Sequence, residues 1–155
     1  MEKLTACCIT EQRGIDSSKI EFLENEFMPE IEELIEEEGC EVFWISMTSI
    51  IDEIFAGCVL LAKETFPQIE LKVAIPYKAL EDRLSEKCID LLSKCAHIEY
   101  ISEEYHRDSF LQTNRFMIQM SNWVIAAYDA ESDSGTSFAM DYSLLMKKDL
   151  RAIKF

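Results

Sequence analysis

Short apolar runs alternate along the chain with longer stretches in which apolar residues recur every three or four positions. The short runs predict buried β-strands and the longer stretches predict amphipathic helices. Strands and helices that alternate at these lengths predict right-handed βαβ units and a mainly parallel sheet covered on both faces. We assign strands to residues 4–10, 41–46, 69–75, 98–102, 123–128 and 150–154, and helices between positions 18 and 39 and at 50–65, 80–94, 110–120 and 136–148.

Local signals mark several helix ends and faces. Ser18 followed by Glu21 predicts a capping box at the start of the first helix, and Gly39 predicts its left-handed end. In the helix at 80–94, we expect Ile89, Leu92 and the two cysteines at 88 and 95 to face inward.

The totals favour one domain. A chain of 155 residues with 48% apolar residues can bury a core, and no linker or repeat divides it, so we expect a single domain over 1–155. No apolar run reaches the ~20 residues of a membrane span. The first residues enter a strand-like run rather than a signal peptide, so the expected location is the cytoplasm.

Net charge is −15 at neutral pH. Such a field repels nucleic acid and anionic membrane surfaces, so we expect neither as a partner. The first helix carries nine glutamates between Glu21 and Glu38 and no basic residue. We interpret them as a solvated outer face, with a cation site or a basic partner as the alternative.

Six cysteines and two histidines show no zinc-ligand spacing. We therefore expect free thiols, no metal and no disulfide. We also expect no cofactor.

In an open parallel sheet, ligands bind beyond the carboxyl ends of the strands, where the strand order reverses. That rule selects four stretches, at residues 10–16, 46–49, 77–78 and 129–136.

The same stretches resemble one family. The motifs are "TACCITEQR" at 5–13, "FWISMTSIID" at 43–52, "VAIPY" at 73–77, "YISEEYHRDSFLQTNRFMIQMSNWVIAAYD" at 100–129 and "SGTSFAMDYSLLMKKDLRAI" at 134–153. In this order they resemble the YpsA-like branch of the SLOG superfamily, the Rossmann-like group named after the DprA/Smf and Lonely Guy proteins.

The resemblance implies a three-layer, doubly wound α/β sheet of about six strands in the order 4-3-2-1-5-6. It also implies a pocket for a nucleotide or nucleotide-derived molecule at the carboxyl ends of the strands. The expected ligand-binding residues are Thr10, Arg13, Ser46, Asp52, Asn114, Arg115, Ser134, Gly135 and Thr136.

The chain departs from the family where glycines would approach a phosphate. Those positions hold Glu11, Ser46, Ile50 and Ser134, and the glutamate that the enzyme relatives carry after the last motif is missing, with Ala139 in that region. We therefore expect a non-catalytic binder. The alternatives are a protein-interaction module with a degenerate pocket and, less favoured, a phosphoribohydrolase like the Lonely Guy enzymes.

Several of these residues have a second interpretation. Arg13 could pair with Asp16 or Glu11, Arg115 could pair with a surface acid, and Asp52 could cap the second helix. We also expect a homodimer, with core packing as the alternative use of the large apolar residues Phe110, Phe116, Met117, Met120 and Trp123.

Overall fold

The computed structural model describes residues 5–11, 15–129 and 134–155. Its six strands form one parallel sheet. The strands are β1 (Ala6–Glu11), β2 (Val42–Ile45), β3 (Glu70–Ile75), β4 (His97–Tyr100), β5 (Trp123–Tyr128) and β6 (Asp149–Lys154). The helices are α1 (Ile20–Glu38), α2 (Ile50–Thr65), α3 (Glu86–Ser93), α4 (Ser109–Gln119) and α5 (Ser134–Leu145).

The strand order is β4-β3-β2-β1-β5-β6, which confirms the predicted doubly wound sheet. The chain runs outward from β1 to β4, then crosses back to place β5 on the other side of β1. Thr10 of β1 aligns with Ala126 of β5, and Glu11 aligns with Ala127. The order therefore reverses between β1 and β5, and their carboxyl ends lie side by side.

Alternate residues of the strands pack into two cores, one on each face of the sheet. Cys7 and Ile9 belong to the larger core beneath α1, α2 and α3, whereas Ala6 and Cys8 belong to the core that includes residues of α4 and α5. This alternation places the neighbouring cysteines 7 and 8 on opposite faces of the sheet. The result is the predicted three-layer arrangement of helix, sheet and helix.

The ends of two helices follow their sequence signals. Gly39 ends α1 with φ 74, a left-handed conformation that glycine adopts without strain. The predicted capping box at Ser18 and Glu21 is wrong. Instead, Asp16 caps a short 3₁₀ turn (Ser17–Lys19) by accepting the Ser18 N–H, and α1 begins after that turn without a side-chain cap.

The single helix predicted at 80–94 is also wrong. The chain forms a 3₁₀ helix (Lys78–Arg83), becomes extended at Leu84 and restarts as α3 with Ser85 as its N-cap. The restart changes the buried face: Cys88 and Leu91 are buried, whereas Ile89 is exposed. A helical pattern that continues across two short helices cannot reveal the break between them.

The apolar residues behind the expected homodimer belong partly to the core. Met117 and Trp123 are buried, and Phe116 is partly buried against the same packing. Of that group, only Met120 counts among the exposed large apolar residues of the described chain. Self-association stays a prediction, although most of the apolar residues that motivated it are not exposed. The single domain over 1–155 also stays a prediction.

Candidate functional site

The carboxyl edge of the sheet gathers the ends of β1, β2, β3 and β5. The switch point between β1 and β5 is the part of this edge where a doubly wound sheet opens a crevice. Beyond β5, α5 begins at Ser134, so its first backbone N–H groups belong to the same edge. A helix N-terminus carries partial positive charge and unpaired donors, which favour an anionic ligand.

Thr10 occupies the end of β1 beside this switch point. Its side chain is 0% exposed, and its Oγ1 has no hydrogen-bond partner among the residues that the structure describes. By the alternation of the strand, Thr10 faces the same side as Ala6 and Cys8. A buried hydroxyl without a partner costs about 1–3 kcal/mol. This hydroxyl is therefore open to a hydrogen bond from a group that lies outside the described residues.

The turn between β2 and α2 is built around the carboxylate of Asp52, which is 0% exposed. Its Oδ1 accepts the N–H of Ser46 at 3.1 Å, and its Oδ2 accepts the N–H of Thr48 at 3.1 Å and of Ser49 at 3.2 Å. The hydroxyls of Ser46 and Thr48 lie 3.0 and 3.3 Å from the same Oδ2. Five donors thus converge on a single side chain of the protein itself.

The same turn starts helix α2. Ser49 accepts the N–H of Asp52 through its hydroxyl at 3.4 Å, and Asp52 accepts the N–H of Ser49, which forms a capping box. Met47 adopts φ 61, a left-handed conformation that is unfavourable for a residue with a Cβ. Its buried side chain packs into the larger core, and that burial offsets the strain.

These contacts bear on two predicted site residues. The backbone N–H groups that could face a bound phosphate here face the Asp52 carboxylate. Ser46 and Asp52 therefore have structural roles in the turn, and these contacts leave untested the direct role in ligand binding that the sequence suggested for them.

Arg115 and Asn114 lie on α4. The Arg115 guanidinium sits 5.4 Å from the ring centre of Phe138 and 5.8 Å from that of Tyr142, two rings of α5 that stack nearly parallel. Arg115 is exposed and Asn114 half-buried. The structure thus joins Arg115 to an aromatic pair rather than to the surface acid that we considered.

The remaining predicted residues are described only in part. Arg13 lies outside the described residues. Ser134, Gly135 and Thr136 form the first turn of α5 through their backbone, and their side chains lie outside the description.

A second feature of the carboxyl edge was missed by sequence reasoning. A groove of about 400 Å³ follows β3 and is lined by Tyr77, Arg83, Glu103 and Tyr105 among others. Tyr105 is 60% exposed and meets Tyr77 edge to face, with ring centres 5.4 Å apart. Only Tyr77 lay in a stretch that the topology rule selected, because Tyr105 is distant in sequence and follows a different strand.

The expectations of free thiols and of no metal site can be compared with the structure only over the described residues. All six cysteines are free, and burial raises the pKa of Cys40 to about 12 and of Cys58 and Cys95 to about 11. These thiols are protonated at neutral pH. Within residues 5–11, 15–129 and 134–155, no group of histidines, cysteines and carboxylates is arranged to hold a metal. None of the described helices is long and apolar enough to cross a bilayer.

The order of the six parallel strands and the helices on both faces define a Rossmann-like, doubly wound α/β protein. Residues 13–153 match the YpsA model, described as the YspA SLOG family. The chain therefore belongs to the YpsA-type SLOG family, as the five motifs predicted.

Two curated relatives carry the name UPF0398 protein. The one from Staphylococcus saprophyticus is 26% identical over 129 residues, covering 79% of this chain and 68% of the relative. The one from Bacillus pumilus is 27% identical over 154 residues, covering 88% of this chain and 81% of the relative.

Among solved structures, DNA processing protein A from Helicobacter pylori has a similar fold, with a TM-score of 0.66 at 18% identity. The match covers 96% of this chain and 65% of that protein, whose structural description concerns its single-stranded DNA binding mode. Our prediction that net charge excludes nucleic acid is contradicted by this neighbour, because a protein with the same fold binds single-stranded DNA.

Proposed function

We propose that the carboxyl edge between β1 and β5 binds a nucleotide or a nucleotide-derived small molecule. The observation that carries the proposal is the Oγ1 of Thr10, which is buried at the switch point without a partner among the described residues. A ligand oxygen or nitrogen would supply the missing hydrogen bond and remove the cost of leaving that hydroxyl unpaired.

The position of α5 favours an anionic group on that ligand. The helix begins at Ser134, six positions after β5 ends at Tyr128, and its first-turn N–H groups can donate to a phosphate. The resemblance of the five sequence motifs implies the same ligand class. Because the net charge is strongly negative, the field of the whole protein does not attract an anion. An anionic ligand would be a small one, held by donors at the site itself.

The proposal is for binding without chemical conversion. The Asp52 carboxylate is already surrounded by five donors, so it is poorly placed to act as a base or to stabilise a cation. Ala139 is buried in the region where the enzyme relatives carry a glutamate, and its methyl side chain offers neither acid nor base.

A thermal-shift screen tests this function with nucleoside monophosphates, nucleotide sugars and dinucleotides. A ligand at 100 times its Kd stabilises the native state by about 2.7 kcal/mol, which for a chain of this size corresponds to a rise in Tm of about 5–10 °C. We expect such a rise in the wild type and in Thr10→Ser, which keeps the hydroxyl, and a much smaller one in Thr10→Val. No shift with any compound, or an equal shift in Thr10→Val, would reject the proposal.

Single-stranded DNA is the second candidate, favoured by the shared fold with DNA processing protein A. Fluorescence anisotropy with a labelled oligonucleotide at about 50 and 200 mM salt tests it, because phosphate contacts make nucleic-acid affinity fall steeply with salt. Saturable, salt-sensitive binding that a free nucleotide does not displace would favour DNA. Displacement by a free nucleotide would favour the small-molecule site.

A further inference from the structure

A groove of about 360 Å³ crosses the helical layer on the α1, α2 and α3 side of the sheet. Its apolar walls come from Ile20 and Met28 of α1, Ile54 and Leu61 of α2, and Leu91 of α3. Leu61 is 56% exposed, whereas the opposite side of α2 is buried. The groove is separate from the carboxyl-edge site, because its walls are the outward surfaces of three helices.

A second groove of about 350 Å³ continues the first. The two share Met28 and Leu61, and the second extends to Phe66 at the end of α2. At a rise of ~1.5 Å per residue, the stretch of α2 that borders both is ~24 Å long, or about four helical turns. That length fits a helical segment better than a small molecule.

Gly57 lies in the middle of α2 and lines the first groove. Glycine is the least favourable residue in a helix interior apart from proline. Neither conformation nor packing requires it, since its φ is not positive and a Cβ built there would meet no described atom within 4 Å. The missing side chain leaves the floor of the groove open at this point, with room for a side chain of a partner.

The rim of the groove is acidic. Glu24 and Glu53 line the first part, and Glu32, Glu36 and Glu64 line the second. Among the lining residues the single base is Lys87, whose Nζ lies 3.9 Å from Glu53. An apolar floor with a carboxylate rim complements a helix that has an apolar stripe flanked by basic residues.

We propose that this groove docks a basic amphipathic helix of a partner protein. A second copy of this chain is a poor occupant, because each copy carries a net charge of −15 and would bring further carboxylates against the rim. The partner's apolar side chains would fill the space above Gly57, and its lysines or arginines would lie against the glutamates of α1 and α2.

The test uses a synthetic peptide of roughly 18 residues with leucines at helical i, i+3, i+4 and i+7 spacing and lysines elsewhere. Its control is a scrambled peptide of the same composition, which keeps the charge and loses the stripe. The protein variants are Gly57→Leu, which places a side chain in the groove, and Gly57→Ala, which changes the helix but leaves most of the space. Binding is followed by anisotropy and located by amide chemical shifts.

We expect saturable binding of the striped peptide, with shifts confined to α1, α2 and α3. Gly57→Leu should weaken it about tenfold, whereas Gly57→Ala should change it less than about twofold. Thermal melts should show both variants at least as stable as the wild type, since each replaces a helical glycine in open space. Equal affinity for the scrambled peptide, shifts elsewhere on the protein, or undiminished binding by folded Gly57→Leu would overturn the proposal.

Discussion

The ends of β1 and β2 are neighbours in the sheet, and both carry buried polar side chains. They differ in whether those side chains have hydrogen-bond partners among the described residues. After β2, the Asp52 carboxylate is satisfied by donors from residues three to six positions earlier. At the end of β1, the Thr10 hydroxyl has no partner among the described residues. The difference divides the carboxyl edge into a turn whose carboxylate is satisfied by the turn's own residues and a strand end whose hydroxyl has no partner among the described residues.

The variant that we expect to lower stability most removes the Asp52 carboxylate from the turn after β2. In Asp52→Ala, the backbone N–H groups of Ser46, Thr48 and Ser49 lose their acceptor inside the protein. We expect the free energy of unfolding to fall by about 3 kcal/mol, and the Tm by about 6–12 °C. Denaturant unfolding of the two proteins measures this.

The matched control is Asp52→Asn, which keeps the shape but brings amide hydrogens against donors. Its loss should be smaller than that of Asp52→Ala and clearly above zero, because one acceptor oxygen remains. If Asp52→Ala were as stable as the wild type, the turn would not depend on its internal carboxylate.

The next effect has the opposite sign. Thr10→Val replaces a buried hydroxyl that has no partner among the described residues by a methyl group of nearly the same shape, so we expect the unliganded protein to gain about 1–2 kcal/mol. Thr10→Ser keeps the hydroxyl and removes a methyl group, and should lose about 1 kcal/mol. Chemical denaturation without ligand distinguishes the two. A destabilised Thr10→Val would mean that this hydroxyl already has a partner in the free protein.

The variant that we expect to change stability least removes a single hydroxyl donor from the turn after β2. Ser46→Ala removes one hydroxyl donor to Asp52 but leaves the Ser46 N–H in place. Because four other donors still surround the carboxylate, we expect a loss of only about 1 kcal/mol, with ligand binding unchanged. A loss of ligand binding in this variant, with stability retained, would assign Ser46 to the ligand site instead.

Much of the fold could be predicted from apolar periodicity. β5 was predicted at residues 123–128 and is observed as Trp123–Tyr128. A run of six apolar residues fits a strand of a parallel sheet that is covered by helices on both faces. The left-handed end of α1 was predicted from Gly39 alone. The strand order came from the family resemblance rather than from periodicity.

The candidate site could be predicted only as a region. The topology rule selected the ends of β1 and β2 but could not separate Thr10 from Ser46, since both are hydroxyl residues at strand ends. What separates them is whether a partner lies within hydrogen-bond distance, and that depends on the path of the turn, including the left-handed Met47. Tyr105 was missed for the same reason, because only folding brings it against Tyr77.

The most direct test of the account is isothermal titration of the tightest nucleotide from the screen into wild type, Thr10→Ser, Thr10→Val and Ser46→Ala. We expect one site per chain, near-equal affinity for wild type, Thr10→Ser and Ser46→Ala, and a loss of about tenfold or more in Thr10→Val, whose folded state is the more stable one. The same affinity in all four proteins, or a loss confined to Ser46→Ala, would contradict the claim that the ligand binds at the end of β1 beside Thr10.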